Sequence, residues 1–154
     1  MIVKLPSPDE LLEACNGTIR LNHPVLHAAR DLTALHADRR SPVSDLDSKF
    51  DCPRAELVCA VDRWVASHLP QARGASYLHA ESIGMVIDRI AQYRVDAHAA
   101  LSSRIAEPHR HFLWQRLAEL TVAYGDLAFE ISAGMRNVPA LTYLVDATGR
   151  RSIG

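Results

Sequence analysis

Residues 76–101 constrain the fold most, because their apolar side chains recur with the 3.6-residue period of an α-helix. At about 100° per residue, one broad stripe collects Ile83, Val86, Ile87, Ile90, Tyr93, Ala97 and Leu101. Ser82 is well placed as the N-cap, since its hydroxyl can accept a hydrogen bond from an N–H of the first turn. The pattern predicts a long central helix that buries one face.

Similar periodicity predicts three more long helices and a short N-terminal one. Each has recognisable signals at its ends, because serine caps and early prolines favour helix starts and glycine favours helix ends. The predicted starts are Ser7 with Pro8, Asn22 with Pro24, Pro53, and Pro108. The third helix is predicted to end at His68, before Pro70, and the last one at Gly134.

Four long amphipathic helices with short connections predict an all-α fold, an antiparallel four-helix bundle preceded by a short N-terminal helix. Residues 1–135 are predicted to form the bundle domain. Residues 136–154 are predicted to be an irregular C-terminal tail, partly extended or mobile. Residues 40–52 contain a proline and several turn formers, which indicates a loop or a short helical turn.

Charge and cysteine content limit the classes of partner. The chain carries 17 basic and 18 acidic residues, interleaved along its length, with a net charge of -1. This balance makes nucleic acid an unlikely partner, because a nucleic-acid binder usually has a basic face. No apolar run is long enough for a membrane span. Three cysteines without metal-type spacing fit reduced thiols, so a cytoplasmic location is expected.

The last predicted helix carries more apolar residues than one bundle face needs. Trp114, Val122 and Phe129 lie off its main stripe. A second buried contact, with a homodimer as the commonest form, would explain them. The alternative is that scattered apolar residues are ordinary on the surface of a monomer. The sequence therefore predicts a homodimer or another protein partner as one of two interpretations.

One set of polar residues is the main candidate for a binding site: His36, Glu81, Asp88 and Arg89. If the helix with His36 packs against the start of the central helix, these side chains converge between helices. Carboxylates and imidazole would suit a divalent cation, and the guanidinium of Arg89 would suit an anionic ligand. The alternative is structural, with Glu81 at the helix terminus and Asp88 and Arg89 in ion pairs between helices.

Arg94 and His98 are further ligand-binding candidates. They lie four residues apart and project into the apolar sector of the central helix. Such side chains need partners, because burial of an unpaired charge costs several kcal/mol. They are predicted to form a buried anion or proton site, or else a core pair satisfied by an acid. The candidate acids include Glu56, Asp62 and Glu119.

Residues 81–90, with the sequence ESIGMVIDRI, resemble a bacterial family catalogued as domain of unknown function 4254. That family carries a glutamate, a small hydroxyl residue, often a proline, then a glycine, apolar residues and Asp-Arg-Leu. Ile83 stands where the proline is common. Leu35, His36 and Arg39 resemble an earlier family pattern, and the resemblance spans roughly residues 21–133. It implies an all-helical fold without an assigned activity.

Two functional interpretations remain open. The first is a non-enzymatic, cytoplasmic helical bundle that acts through protein association or by binding a small ligand. The second is a metal-dependent hydrolase of a phosphate-containing small molecule, similar to the all-helical nucleotide pyrophosphohydrolases. In the hydrolase, Glu81, Asp88 and His36 would hold Mg²⁺ or Mn²⁺ and Arg89 would contact the phosphate. The paired-acid helix of those enzymes is not reproduced in this sequence.

Overall fold

The central helix, α4, extends over Ile83–Ser102 and packs against three other helices. In the computed structural model, the described residues are 3–40, 47–72, 77–139, 144–145 and 151–152. The other helices are α1 (Pro8–Cys15), α2 (Pro24–Arg39), α3 (Asp47–His68) and α5 (Glu107–Ser132). The predicted all-α helical bundle is therefore confirmed.

Within the described residues, four two-residue strands accompany the helices. β1 (Tyr77–Leu78) pairs in parallel with β2 (Arg136–Asn137), and β3 (Leu144–Val145) pairs antiparallel with β4 (Arg151–Ser152). The strand pair β1–β2 ties the segment before α4 to the segment after α5. The boundary at residue 135 stays a prediction. Within the described residues, no helix has both the length and the apolar character that crossing a bilayer requires.

α3 and α4, which follow one another along the chain, run antiparallel. Arg54 of α3 contacts Asp88 of α4, while Asp62, further along α3, contacts Gly84, nearer the start of α4. α2, α3 and α5 all pack on α4, and α1 packs against both α2 and α5. Tyr124 of α5 is fully buried and donates a hydrogen bond to the carbonyl of Pro6, at 2.8 Å. The short N-terminal segment thus closes one side of the bundle.

The predicted apolar stripe of α4 is buried near the start of the helix and is partly exposed near its end. Ile83, Val86, Ile87 and Ile90 are at most 4% exposed, whereas Leu101 is 56% exposed. After Ile90, the buried residues of α4 are small ones, namely Ala91, Ala97 and Ala100. Small side chains let neighbouring helices approach closely, so contact with several helices rotates the buried face away from the average stripe.

Most predicted helix ends are confirmed because their capping bonds are local. Ser7 forms a capping box with Glu10, and the Ser82 hydroxyl accepts a hydrogen bond from the amide of Met85 at 3.2 Å. Gly134 follows α5 with a φ of 70°, the left-handed conformation that glycine adopts readily. The cap predicted at Asn22 is wrong by one residue. His23 is the N-cap of α2, because its Nδ1 accepts from the amide of Val25.

The predicted start of α3 at Pro53 is also wrong. The helix begins at Asp47, so Pro53 lies inside it. A proline removes one backbone hydrogen bond and crowds the preceding turn, yet the helix continues through this position. The short helical turn considered for residues 40–52 is thus part of α3 from residue 47 onward, and residues 41–46 lie outside the described residues.

Candidate functional site

Asp88 of α4 is the centre of a buried polar contact between three helices. Its side chain is 5% exposed, and its Oδ1 lies 2.9 Å from Nε2 of His36 in α2. Arg54 of α3 donates to Oδ2 from Nε at 2.9 Å and from Nη2 at 2.6 Å. These three residues are called the Asp88 cluster below. A carboxylate with a bidentate arginine and a histidine can link α2, α3 and α4 in one fixed geometry.

The contacts of Asp88 determine its ionisation. Burial raises the pKa of the Asp88 carboxyl, but the hydrogen bonds from His36 and Arg54 outweigh burial, so the pKa lies below its ordinary value of 3.8. The carboxyl is therefore ionised at neutral pH. One oxygen of Asp88 is bonded to His36 of α2 and the other to Arg54 of α3. The Asp88 cluster therefore holds the three helices together and orients the imidazole of His36.

Arg54 was not among the predicted site residues. The sequence does contain a signal for Arg54. Val58 follows it by four residues and Val65 by eleven, so the three side chains lie on one face of α3. Val58 and Val65 are buried, so Arg54 lies at the outer end of a core face. A basic residue at that position is a natural partner for an acid on the facing helix.

Glu81 and Arg89 form a second, separate contact. The guanidinium of Arg89 donates to the Glu81 carboxylate, and their side chains are 43% and 26% exposed. Asp88 and Arg89 are neighbours in the chain and point about 100° apart on the helix. The structure thus brings His36 together with Asp88, and Arg89 together with Glu81, and the four-residue pocket is not formed.

The predicted metal set is not gathered either. Among the residues that the structure describes, no group of three or more His, Cys, Asp or Glu side chains is arranged to hold a metal ion. Glu81 and Asp88 each contact an arginine instead. Binding of Mg²⁺ or Mn²⁺ by Glu81, Asp88 and His36 stays a prediction, and so does the hydrolase that depends on it.

Gly84 lies where α4 comes closest to α3. A Cβ atom at this position would be 2.4 Å from the carbonyl oxygen of Val58, which is too close for any side chain. The space also admits Asp62 of α3, whose Oδ1 accepts from the amide of Gly84 at 2.8 Å. Asp62 is 2% exposed and lies at the positive end of the α4 dipole. The glycine of the ESIGMVIDRI run is thus explained by helix packing.

Arg94 and His98 do not form the predicted buried pair. Arg94 is half-buried and donates to the side chain of Asn16, the residue that follows α1. His98 is exposed, and its ring centre lies 5.3 Å from that of Trp114 in α5. The prediction fails because the buried face of α4 turns toward its alanines. Of the candidate acids, Asp62 contacts Gly84 and Glu119 pairs with Arg116.

The three apolar residues off the main stripe of α5 have different environments. Trp114 is half-buried and contacts His98, so a contact within the chain accounts for it. Val122 and Phe129 are 66% and 69% exposed. Since they lie seven residues apart, they share one side of the helix, together with the exposed Ala118. This side is called the α5 outer face and consists of Ala118, Val122 and Phe129.

A comparison with known protein families gives a match that covers most of the region of the site. The family described as "Protein of unknown function (DUF4254)" matches residues 44–140, more than half of the chain. The match includes the ESIGMVIDRI run and extends from α3 to β2, whereas His36 and Arg39 lie outside it. A comparison with curated proteins and a comparison with solved structures each returned no match.

Proposed function

The chain belongs to the DUF4254 family of proteins of unknown function, and from this premise we propose that it acts through self-association. The partner is a second copy of the chain, and the contact surface is the α5 outer face. The proposed location is the cytoplasm, where the three cysteines would be kept reduced. The observation that carries the proposal is the exposure of Val122 and Phe129, at 66% and 69%.

Position, rather than exposure alone, favours an interface. Single exposed apolar residues are ordinary on protein surfaces. Val122 and Phe129, however, lie on the side of α5 opposite its buried residues Leu117, Tyr124 and Ile131, two turns apart along the same line. An apolar line on an outer helix is the kind of surface that a symmetric helix pair buries. Exposed polar residues beside it would form the rim.

Sedimentation velocity of the full chain tests the proposal. We expect a concentration-dependent dimer for the wild type in the micromolar range. Val122→Asp and Phe129→Asp should each weaken the dimer by at least about tenfold, because a charge at the centre of an interface removes one of its main contacts. The variants should keep the circular dichroism of the wild type, since both positions are exposed.

Leu21→Asp is the matched control. Leu21 is 50% exposed and lies in the connection between α1 and α2, outside α5 in the sequence. We expect it to dimerise like the wild type. A wild type that stays monomeric up to high concentration would overturn the proposal. Equal losses in Leu21→Asp and Phe129→Asp would show that the α5 outer face is not the contact.

A further inference from the structure

His23 is the N-cap of α2 and contacts three parts of the chain. Its Nδ1 accepts a hydrogen bond from the amide of Val25 at 3.2 Å, and its ring has a hydrogen bond with the backbone of Lys4 in the N-terminal segment. Its ring centre lies 4.5 Å from that of Trp64 in α3, in an edge-on arrangement. Lys4, His23, Val25 and Trp64 are called the His23 cluster below. The cluster joins the N-terminal segment, the first turn of α2 and the C-terminal half of α3.

The contacts of the His23 cluster require a neutral imidazole in one tautomer. Since Nδ1 accepts from Val25, it carries no proton, and Nε2 is the nitrogen that can donate to the backbone of Lys4. An imidazolium ion has a proton on both ring nitrogens and cannot accept a hydrogen bond. Protonation of His23 therefore removes the cap of Val25 and places a positive charge at the positive end of the α2 dipole.

The charges that act on His23 come from several elements. The pKa of His23 lies below its ordinary value of 6.5, and burial is the largest cause. The hydrogen bond with Lys4 and the negative charge of Glu10 in α1 raise the pKa, whereas the charge of His68 in α3 lowers it further. The lowered pKa keeps the ring neutral at neutral pH, which is the form that the cap requires.

Two other histidines near this end of α2 and α3 do not have this dependence on the neutral form. Nδ1 of His68 lies 2.9 Å from the carbonyl oxygen of Trp64, and because a carbonyl only accepts, this nitrogen carries its proton whether or not the ring is charged. Nε2 of His27 lies 2.9 Å from the side-chain oxygen of Asn22, which is also an acceptor. Protonation leaves both of these bonds in place, whereas it breaks the cap of α2.

We infer that His23 is a pH-sensitive switch at the start of α2. The neutral ring holds the N-terminal segment against α2 and α3, and protonation releases this segment. The segment covers part of the core, since Leu5 is 4% exposed and the carbonyl of Pro6 accepts from Tyr124. Acidification thus opens the side of the bundle that the segment closes. The inference does not depend on self-association, because the His23 cluster shares no residue with the α5 outer face.

NMR titration of the full-length wild type from about pH 8 to about pH 5 tests the inference. We expect the ring of His23 to be the Nε2–H tautomer at the start and to titrate below pH 6.5. The amide resonance of Val25 should change with the same midpoint, because its hydrogen bond is lost. The heteronuclear NOE of the Leu5 amide should fall in parallel, because this NOE reports the fast motion of a released segment.

Two results of the titration would overturn the inference. A proton on Nδ1 of His23 near pH 8 would show that this nitrogen does not accept from Val25. A Leu5 NOE that stays constant while His23 titrates would show that protonation does not release the N-terminal segment.

His23→Asn separates the switch from the other titrating groups. Asparagine is a good N-cap and does not titrate in this range, so the variant should fold and keep its cap at every pH. In the wild type, we expect the protection of the Val25 amide against hydrogen exchange to fall roughly fivefold between about pH 7.5 and about pH 5, which is the effect of losing one cap. In His23→Asn, this protection should stay constant.

His27→Asn is the matched control, since His27 is a histidine on the same helix whose bond to Asn22 does not depend on the charge of the ring. We expect the protection of Val25 to fall in this variant as it does in the wild type. An equal fall in His23→Asn, or no fall in His27→Asn, would contradict the assignment of the switch to His23.

Discussion

Asp88 and Arg89 are adjacent in the sequence and belong to two very different environments. The Asp88 side chain is 5% exposed and contacts residues 52 and 34 positions away, on two other helices. The Arg89 side chain is 43% exposed and pairs with Glu81, eight positions earlier. Of these two neighbouring residues of α4, Asp88 therefore joins three helices, whereas Arg89 makes a local contact near the start of its own helix.

The difference shows which of the two contacts supports the fold. A buried ion pair contributes little when both partners are exchanged for apolar residues, but removing one partner leaves an uncompensated charge in the core. An exposed pair loses little when it is broken, because water takes the place of the missing partner. Substitutions in the two contacts should therefore differ several-fold in their effect on stability.

The largest effect is expected for Asp88→Ala. The substitution leaves His36 buried without its carboxylate and removes both bonds that Arg54 makes to Oδ2. Because the Arg54 side chain is 42% exposed, its charge stays in contact with water, and the main cost comes from the buried His36 that loses its bond to Asp88. We expect the free energy of unfolding to fall by about 2 kcal/mol. Urea unfolding followed by circular dichroism measures this loss.

Asp96→Ala is the matched control for that substitution. Asp96 is on the same helix and pairs with Arg40 at 2.6 Å, with side chains 27% and 48% exposed. A pair with this exposure should contribute less than about 1 kcal/mol. If Asp96→Ala and Asp88→Ala lost the same stability, burial of the Asp88 cluster would not explain its effect.

The pH dependence of the unfolding free energy isolates the contribution of the Asp88 charge, which is expected to be smaller than the effect of Asp88→Ala. The pKa of Asp88 is lowered in the folded state, since the hydrogen bonds from His36 and Arg54 outweigh the effect of burial. The unfolded chain therefore takes up the proton first as the pH falls. The stabilisation by ionised Asp88 is complete above the unfolded value of 3.8 and disappears as the pH falls through the lower, folded value.

Urea unfolding of the wild type and of Asp88→Asn between pH 7 and pH 3 measures this contribution. The asparagine has a similar shape but does not titrate, so other acidic groups cancel in the difference between the two proteins. We expect the difference to shrink below about pH 4. A difference that stays constant down to pH 3 would show that Asp88 is not stabilised as the anion.

Local signals made the helix ends predictable, while long-range packing decided the site. Ser7, Ser82 and Gly134 act within one turn of the chain, so the sequence identifies them directly. The partner of Asp88 depends on which face of α3 meets α4, and that is set by the close approach of Gly84 to Val58. The sequence alone does not contain this distance, so Arg54 was missed.

The failed prediction for His98 has a related cause. A helical wheel assumes one straight, constant buried face along the whole helix. α4 is surrounded by α2, α3 and α5, and its buried residues pass from isoleucines to alanines along its length. His98 is therefore exposed and Arg94 half-buried, although the average stripe places both in the core. The helical wheel predicts the buried face of α4 correctly for about two turns after Ser82. Beyond that, it no longer identifies which side of the helix is buried.

The smallest effect is expected at the Glu81 and Arg89 pair. Because these side chains are 26% and 43% exposed, their interaction is screened by water and salt. A double-mutant cycle with Glu81→Gln, Arg89→Gln and the combined variant should give a coupling energy below about 1 kcal/mol. The coupling should fall further in 0.5 M NaCl. A coupling above about 2 kcal/mol that is insensitive to salt would place the pair out of water, and the contrast with Asp88 would no longer hold.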